Sequence, residues 1–129
     1  MALRINESEE DYLEAILILS KKKPVVRSVD VAGELGYKKS SVSVAMKHLR
    51  EKNHITMSDE GYIILTETGR EIAERIYERH TLLTDWLVFM GVDEKIAADD
   101  ACKLEHDLSA ESFEAIKDFI KKYTDIKGR

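Results

Sequence analysis

Apolar residues in this chain recur at intervals of three and four along most of its length, and that spacing breaks in one place, between Ile55 and Leu65. Such spacing puts apolar side chains on one face only if the backbone is helical, so the chain is expected to be mainly α. The exception is a pair of β-favouring runs, Ile55 to Met57 and Tyr62 to Leu65, separated by Ser58-Asp59-Glu60-Gly61, which read as a short hairpin. Just before it, Ser28 can cap a short helix, Val29 to Leu35, that stops at Gly36, and a turn follows from Tyr37 to Lys39. The next helix is expected to start at Ser40 or Ser41, with Val42, Ala45, Met46 and Leu49 as its buried stripe. Two short helices joined by a glycine-containing turn and followed by a hairpin form a winged helix-turn-helix pattern.

One helix precedes this motif and three follow. The first is expected to begin near Asn6 or Ser8, with Glu9, Glu10 and Asp11 in its first turn, and to fray at Lys21 to Lys23 before Pro24. Between Tyr12 and Leu19 it is apolar almost all round, with Glu14 as the one charge. Thr66 is expected to cap a long helix running to about Met90 and stopped by Gly91, with Ala73, Ile76, His80, Leu83, Leu87 and Met90 as a seam. Asp93 opens a helix to about Leu108, and Ser109 caps a last one with Phe113, Ile116, Ile120 and Tyr123 on one face. The expected organisation is a winged helix-turn-helix domain over residues 1–66 and a helical domain over 67–129.

Net charge is −5, which taken as an average argues against a nucleic-acid partner. Its distribution argues otherwise. One base faces five acids in residues 1–20, nine bases face three acids in 21–53, and ten bases face seventeen acids in 54–129. A basic segment between acidic ones suits polyanion at one place and divalent cation at another. A recognition helix in the major groove offers its N-terminal residues to base edges, here Lys38, Lys39, Ser40, Ser41, Ser43 and Val44. Val44 is apolar yet lies off the core stripe, which suits contact with thymine methyls. Lys47 and Arg50, further along, and Arg27, beside the supporting helix, are better placed for phosphate.

Cys102, Glu105 and His106 fall at i, i+3 and i+4, so a helix projects all three from one face within a single turn. Thiolate, carboxylate and imidazole together are donors for a first-row transition ion. Taken singly, Cys102 reads as a small buried hydrophobe, His80 as a satisfied core histidine and Glu14 as a helix-edge carboxylate. Taken together, a histidine in an apolar seam, an acid in an apolar run and a three-donor turn share one explanation, a metal held among three helices. The single cysteine excludes an internal disulfide framework. The longest apolar run, Ala15 to Leu19, falls far short of the ~20 residues of a membrane span, and no leader pattern opens the chain, so a soluble, cytoplasmic protein is expected.

At these residues the sequence resembles the diphtheria toxin repressor family of iron- and manganese-dependent regulators. The motifs are Glu10-Asp11-Tyr12-Leu13-Glu14, Ser40-Ser41-Val42-Ser43, Leu65-Thr66-x-x-Gly69, Arg79-His80-x-Leu82-Leu83 and Ala101-Cys102-Lys103-Leu104-Glu105-His106. The resemblance implies Asp11, Glu14, His80, Glu105 and His106 as ligands of the manganese type, and Cys102 as the ligand of the iron type. The iron-type branch has methionine in place of Asp11, and Thr84 and Ala98 stand where that branch carries ligands of a second site. The length resembles the shorter manganese-type architecture without a C-terminal SH3-like domain.

The expected function is therefore metal-dependent repression of manganese or iron uptake genes. Mn(II) or Fe(II) would act as co-repressor, Co(II) or Zn(II) substituting in vitro, and a homodimer would bind a palindromic operator. A metal-independent winged-helix regulator of the multidrug-resistance type is the first rival, although such proteins usually carry more than one helix ahead of the motif. A metal-dependent hydrolase is the second. Six candidate ligands leave it little room for an open coordination position, and the chain shows no glycine-rich loop.

Overall fold

The computed structural model describes residues 7–126, with side chains from 8 to 123. Its elements run α1 (Glu7–Lys22), α2 (Ser28–Leu35), α3 (Lys39–Glu51), β1 (Ile55–Met57), β2 (Ile63–Leu65), α4 (Glu67–Phe89), α5 (Glu94–Leu104) and α6 (Ala110–Ile126). The chain divides into two compact units, 1–76 and 77–129, and α4 begins in the first and continues into the second. Among the described residues no helix is long and apolar enough to cross a membrane.

In the first unit α1, α2 and α3 close on a core of Leu13, Ile16, Val31, Val42, Met46, Leu49 and Ile55, each almost fully buried. The stripe expected on α3 is the buried one; Val42, Met46 and Leu49 are sealed, Ala45 is half-buried, and Val44 stays exposed. Gly36 ends α2 with φ 71°, a left-handed conformation that costs glycine little, and its N–H donates to Ala32 O at 2.8 Å. Two helix starts differ from expectation. Ser28 is the first residue of α2 and not its cap, because the Asp30 carboxylate reaches back to accept the Arg27 N–H at 2.9 Å. α3 begins at Lys39, with Lys38 in extended conformation before it, one residue earlier than Ser40 and two earlier than Ser41.

β1 and β2 pair antiparallel, Ile55 opposite Leu65 and Met57 opposite Ile63. Ile63 N–H also donates to Val26 O at 2.7 Å, so the segment ahead of α2 runs beside β2. Thr66 caps α4 as expected, accepting the Gly69 N–H on its hydroxyl at 3.2 Å. Gly69 is buried hard against the backbone carbonyl of His54, and a Cβ there would collide with that oxygen. The glycine of the Leu65-Thr66-x-x-Gly69 motif is thus required by close approach, not by its φ.

In the second unit Asp93 caps α5, its carboxylate accepting from Lys95 N and Ile96 N at 3.1 and 3.4 Å. Ser109 caps α6, accepting from Ser112 N at 3.0 Å. Leu83, Ala97, Ala101, Phe113 and Ile120 form the apolar core of this unit. Of the expected seam on α4, Ala73, Ile76 and Leu83 are buried, His80 and Leu87 half-buried, and Met90 exposed beyond the helix end.

Candidate metal centre

The second unit builds its donor cluster from α4 and the end of α5. The latter stops at Leu104, not near Leu108, so Glu105 and His106 stand just past a helix end. Glu105 keeps helical dihedrals, φ −61° and ψ −27°, and its N–H still donates to Ala101 O at 2.9 Å. The one-turn spacing from Cys102 therefore survives although the helix does not continue. Past that end the Asp107 N–H donates to Leu104 O, three residues back, at 3.1 Å, and Arg79 holds the turn. Its Nη1 donates to the carbonyl of Glu105 at 2.9 Å and to that of Leu108 at 2.8 Å, both beyond the last residue of α5. The Arg79 guanidinium is buried, 5.1 Å from the centre of the Phe113 ring.

Glu105 lies at the centre, with 0 % exposure. One of its oxygens, Oε1, is 2.8 Å from His80 Nδ1, and Oε2 is 3.7 Å from His106 Nε2. The donor atoms of Cys102, Glu105 and His106 all lie within 4.8 Å of one another. Oε2 is buried and accepts no hydrogen bond among the described residues. A carboxylate oxygen left in that state costs on the order of 1–3 kcal/mol or more, a cost a cation at that oxygen would remove. Sulfur, nitrogen and oxygen donors around it fit a divalent first-row ion. Cys102 is exposed, so the reading of it as a buried hydrophobe is overturned. His80 is half-buried and engaged with Glu105 through Nδ1, which is not the setting of a core histidine.

Asp11 and Glu14 belong to the first unit, three residues apart on one side of α1, and both are half-buried. Their helix is anchored on either side. Glu9, 6 % exposed, takes the Lys52 ammonium on both oxygens at 2.8 and 2.9 Å, and Glu10 takes Arg75 at 3.2 Å.

The expected nucleic-acid face is also in the first unit. Lys38, Lys39, Ser40, Ser41, Ser43, Val44, Lys47 and Arg50 are all exposed on or before α3, as is Arg27 ahead of α2. Val44 is 55 % exposed, an apolar side chain offered to solvent amid polar neighbours.

Arg79, whose side chain holds the turn that carries Glu105 and His106, is the residue that sequence reasoning passed over, although it lay inside a quoted motif. Its signal was positional. It sits three residues after Ile76 and four before Leu83, on the buried stripe of α4, where a charge needs partners.

Residues 4–68 match the iron dependent repressor N-terminal DNA binding domain, and residues 66–125 match the iron dependent repressor metal binding and dimerisation domain. An uncharacterised HTH-type transcriptional regulator of Methanocaldococcus jannaschii is 37% identical over 94% of this chain and 98% of its own length. The HTH-type transcriptional regulator MntR of Bacillus velezensis is 33% identical over 95% of this chain and 86% of its own. Among solved structures, a manganese-dependent transcriptional repressor in complex with manganese superposes with a TM-score of 0.79 at 27% identity, over 88% of this chain. The chain covers 52% of that protein, about half its length. Two domain matches that together span nearly the whole chain, over a winged helix-turn-helix and a buried carboxylate flanked by thiol and imidazole, place it in the iron-dependent repressor family of metal-dependent, DNA-binding transcriptional regulators.

Proposed function

We propose that the chain is a homodimeric repressor of manganese or iron uptake genes, its affinity for a palindromic operator raised by Mn(II) or Fe(II). The ligands would be His80, Cys102, Glu105 and His106 of the second unit with Asp11 and Glu14 of α1. The observation that carries this is Glu105 Oε2, a fully buried carboxylate oxygen that accepts no hydrogen bond among the described residues, next to a thiol and two imidazoles. The relatives named as MntR and the manganese-bound repressor favour Mn(II), whereas the thiolate of Cys102 favours Fe(II) or softer ions, with Co(II) and Zn(II) as usable surrogates.

Bound there, a divalent ion supplies positive charge to three carboxylates and so favours the arrangement in which all of them converge. The protein residues do the rest. Arg79 fixes the turn that carries Glu105 and His106, and Glu105 orients the His80 ring through Nδ1. The DNA-binding domain, residues 1–66, presents Lys38, Lys39, Ser40, Ser41, Ser43 and Val44 to base edges and Arg27, Lys47 and Arg50 to phosphates. Residues 67–129 pair with a second copy, one half-site per subunit. The protein acts by binding in the cytoplasm and carries out no reaction.

The test is fluorescence anisotropy with labelled promoter fragments of metal-uptake genes, in chelator, in Mn(II) and in anaerobic Fe(II). Binding should require one of the metals, and the dimer should persist in chelator by sedimentation. Sequence-specific binding undiminished in chelator would overturn the proposal.

A further inference from the structure

Two residues of the first unit, distant in sequence, are held against each other on its surface. Val26 O accepts the Ile63 N–H at 2.7 Å, which sets Arg27, the next residue of the segment ahead of α2, beside Tyr62, the residue before β2. The Arg27 guanidinium carbon lies 4.9 Å from the centre of the Tyr62 ring, and Arg27 Nη2 donates to Tyr62 Oη at 3.2 Å. Both backbones are pinned. Arg27 N–H donates to Asp30 Oδ2 at 2.9 Å, Tyr62 N–H donates to Ser58 Oγ at 3.0 Å, and Ser58 N–H donates to Tyr62 O at 3.0 Å. Arg27 is exposed and Tyr62 half-buried, so the pair faces solvent.

The chemistry of the pair is that of an anion site. A guanidinium has five N–H donors in a planar fork, of which one goes to the phenol. The phenol oxygen, accepting from Arg27, keeps its own proton to donate elsewhere. A phosphodiester offers acceptors and one negative charge, and takes both donors and the cation together. Stacking on the ring also restricts the arginine side chain, so less of its rotamer freedom is lost on binding. The pair sits ahead of α2, the helix that in this motif crosses the DNA backbone.

We propose that Arg27 and Tyr62 form a composite phosphate-binding pair, the wing tyrosine orienting the guanidinium and donating its hydroxyl proton to the same DNA phosphate. This rests on the reading of Arg27 as a phosphate contact, and the test separates the two. The full-length protein in Mn(II) is titrated with a short random-sequence duplex, and with a metal-uptake promoter fragment, across a range of KCl concentrations.

Arg27→Ala should lower the slope of log affinity against log salt by roughly one unit on both DNAs. Tyr62→Phe keeps the ring and the charge, so it should leave that slope unchanged yet weaken both complexes several-fold. In the Arg27→Ala background, Tyr62→Phe should lose little more. Both variants should melt with the unmodified protein, since neither side chain is core. If Arg27→Ala weakens binding as stated but Tyr62→Phe binds like the unmodified protein, or its loss is undiminished in the Arg27→Ala background, the pairing is overturned and the arginine contact stands. An unchanged salt slope for Arg27→Ala overturns the contact itself, and the pair with it.

Discussion

A carboxylate with no solvent exposure is stable in a protein only where its charge is answered, and Glu105 has His80 on one oxygen at 2.8 Å and none but a distant imidazole on the other. If an ion sits at that second oxygen, metal choice is expected to turn on the neighbouring donor, Cys102. The thiol lies within 4.8 Å of the Glu105 and His106 donors and is exposed, so it can be replaced without cutting into a core. A thiolate is a softer donor than the carboxylate implied for manganese-type relatives, and should favour Fe(II), Co(II) and Zn(II) over Mn(II). Cys102→Glu should therefore improve Mn(II)-dependent DNA binding relative to Fe(II). Cys102→Ser should weaken activation by every metal while leaving the melting temperature of the metal-free protein nearly unchanged. The cobalt complex of the reduced protein gives a direct reading, because a thiolate ligand adds an intense near-ultraviolet charge-transfer band. Absence of that band would remove Cys102 from the ligand set.

At the scale of elements, what the sequence foretold was whatever depends on periodicity, and what it hid was whatever depends on a side chain returning from elsewhere. The α3 stripe, the hairpin, the Gly36 stop and the Thr66, Asp93 and Ser109 caps are local, and each stands where expected. The turn past α5 stayed hidden because what holds it is Arg79, a helix away, which donates to the carbonyls of Glu105 and Leu108. The start of α2 was misread because Asp30 outcompetes Ser28 for the capping role. Asp30 gives this a measurable form. Its carboxylate also accepts from Lys23 Nζ at 2.7 Å, and that hydrogen bond, followed by the one from the Arg27 backbone, holds its pKa below the ordinary value. A depressed folded pKa stabilises the native state above the unfolded pKa, about 3.9, and the contribution is lost as pH falls through the folded value. Asp30→Ala should cost about 1 kcal/mol near neutral pH, as lost caps do. The difference from the unmodified protein should shrink below about pH 4, when urea melts are compared across pH. A gap that stays constant down to the lowest pH at which both proteins fold would show that the charge of Asp30 contributes nothing.

For the whole molecule the question is how an ion could alter affinity for DNA, and the first unit supplies half of the linkage. α1 is tied to the recognition helix at both of its ends. Lys52, at the C-cap of α3, is bound to the buried Glu9, and Tyr37, in the turn just before α3, meets Tyr12 edge-on at 5.8 Å. On α1 Asp11 lies between these anchors and Glu14 two residues beyond them, so whatever fixes α1 through the two carboxylates also bears on α3. In the proposed site the remaining ligands belong to the second unit, so the proposal makes the α1 carboxylates the carriers of the effect to the DNA-binding head. Thermodynamic linkage turns this into numbers that must agree. The factor by which Mn(II) raises DNA affinity must equal the factor by which DNA raises Mn(II) affinity. In the Asp11→Asn, Glu14→Gln double variant both factors should fall towards one, while Mn(II) still binds, more weakly, to His80, Cys102, Glu105 and His106. Isothermal titration of Mn(II) with and without a promoter fragment, beside anisotropy with and without Mn(II), measures both. A double variant that binds Mn(II) and keeps the full coupling factor would show that the signal reaches α3 by another route, and that α1 does not carry it.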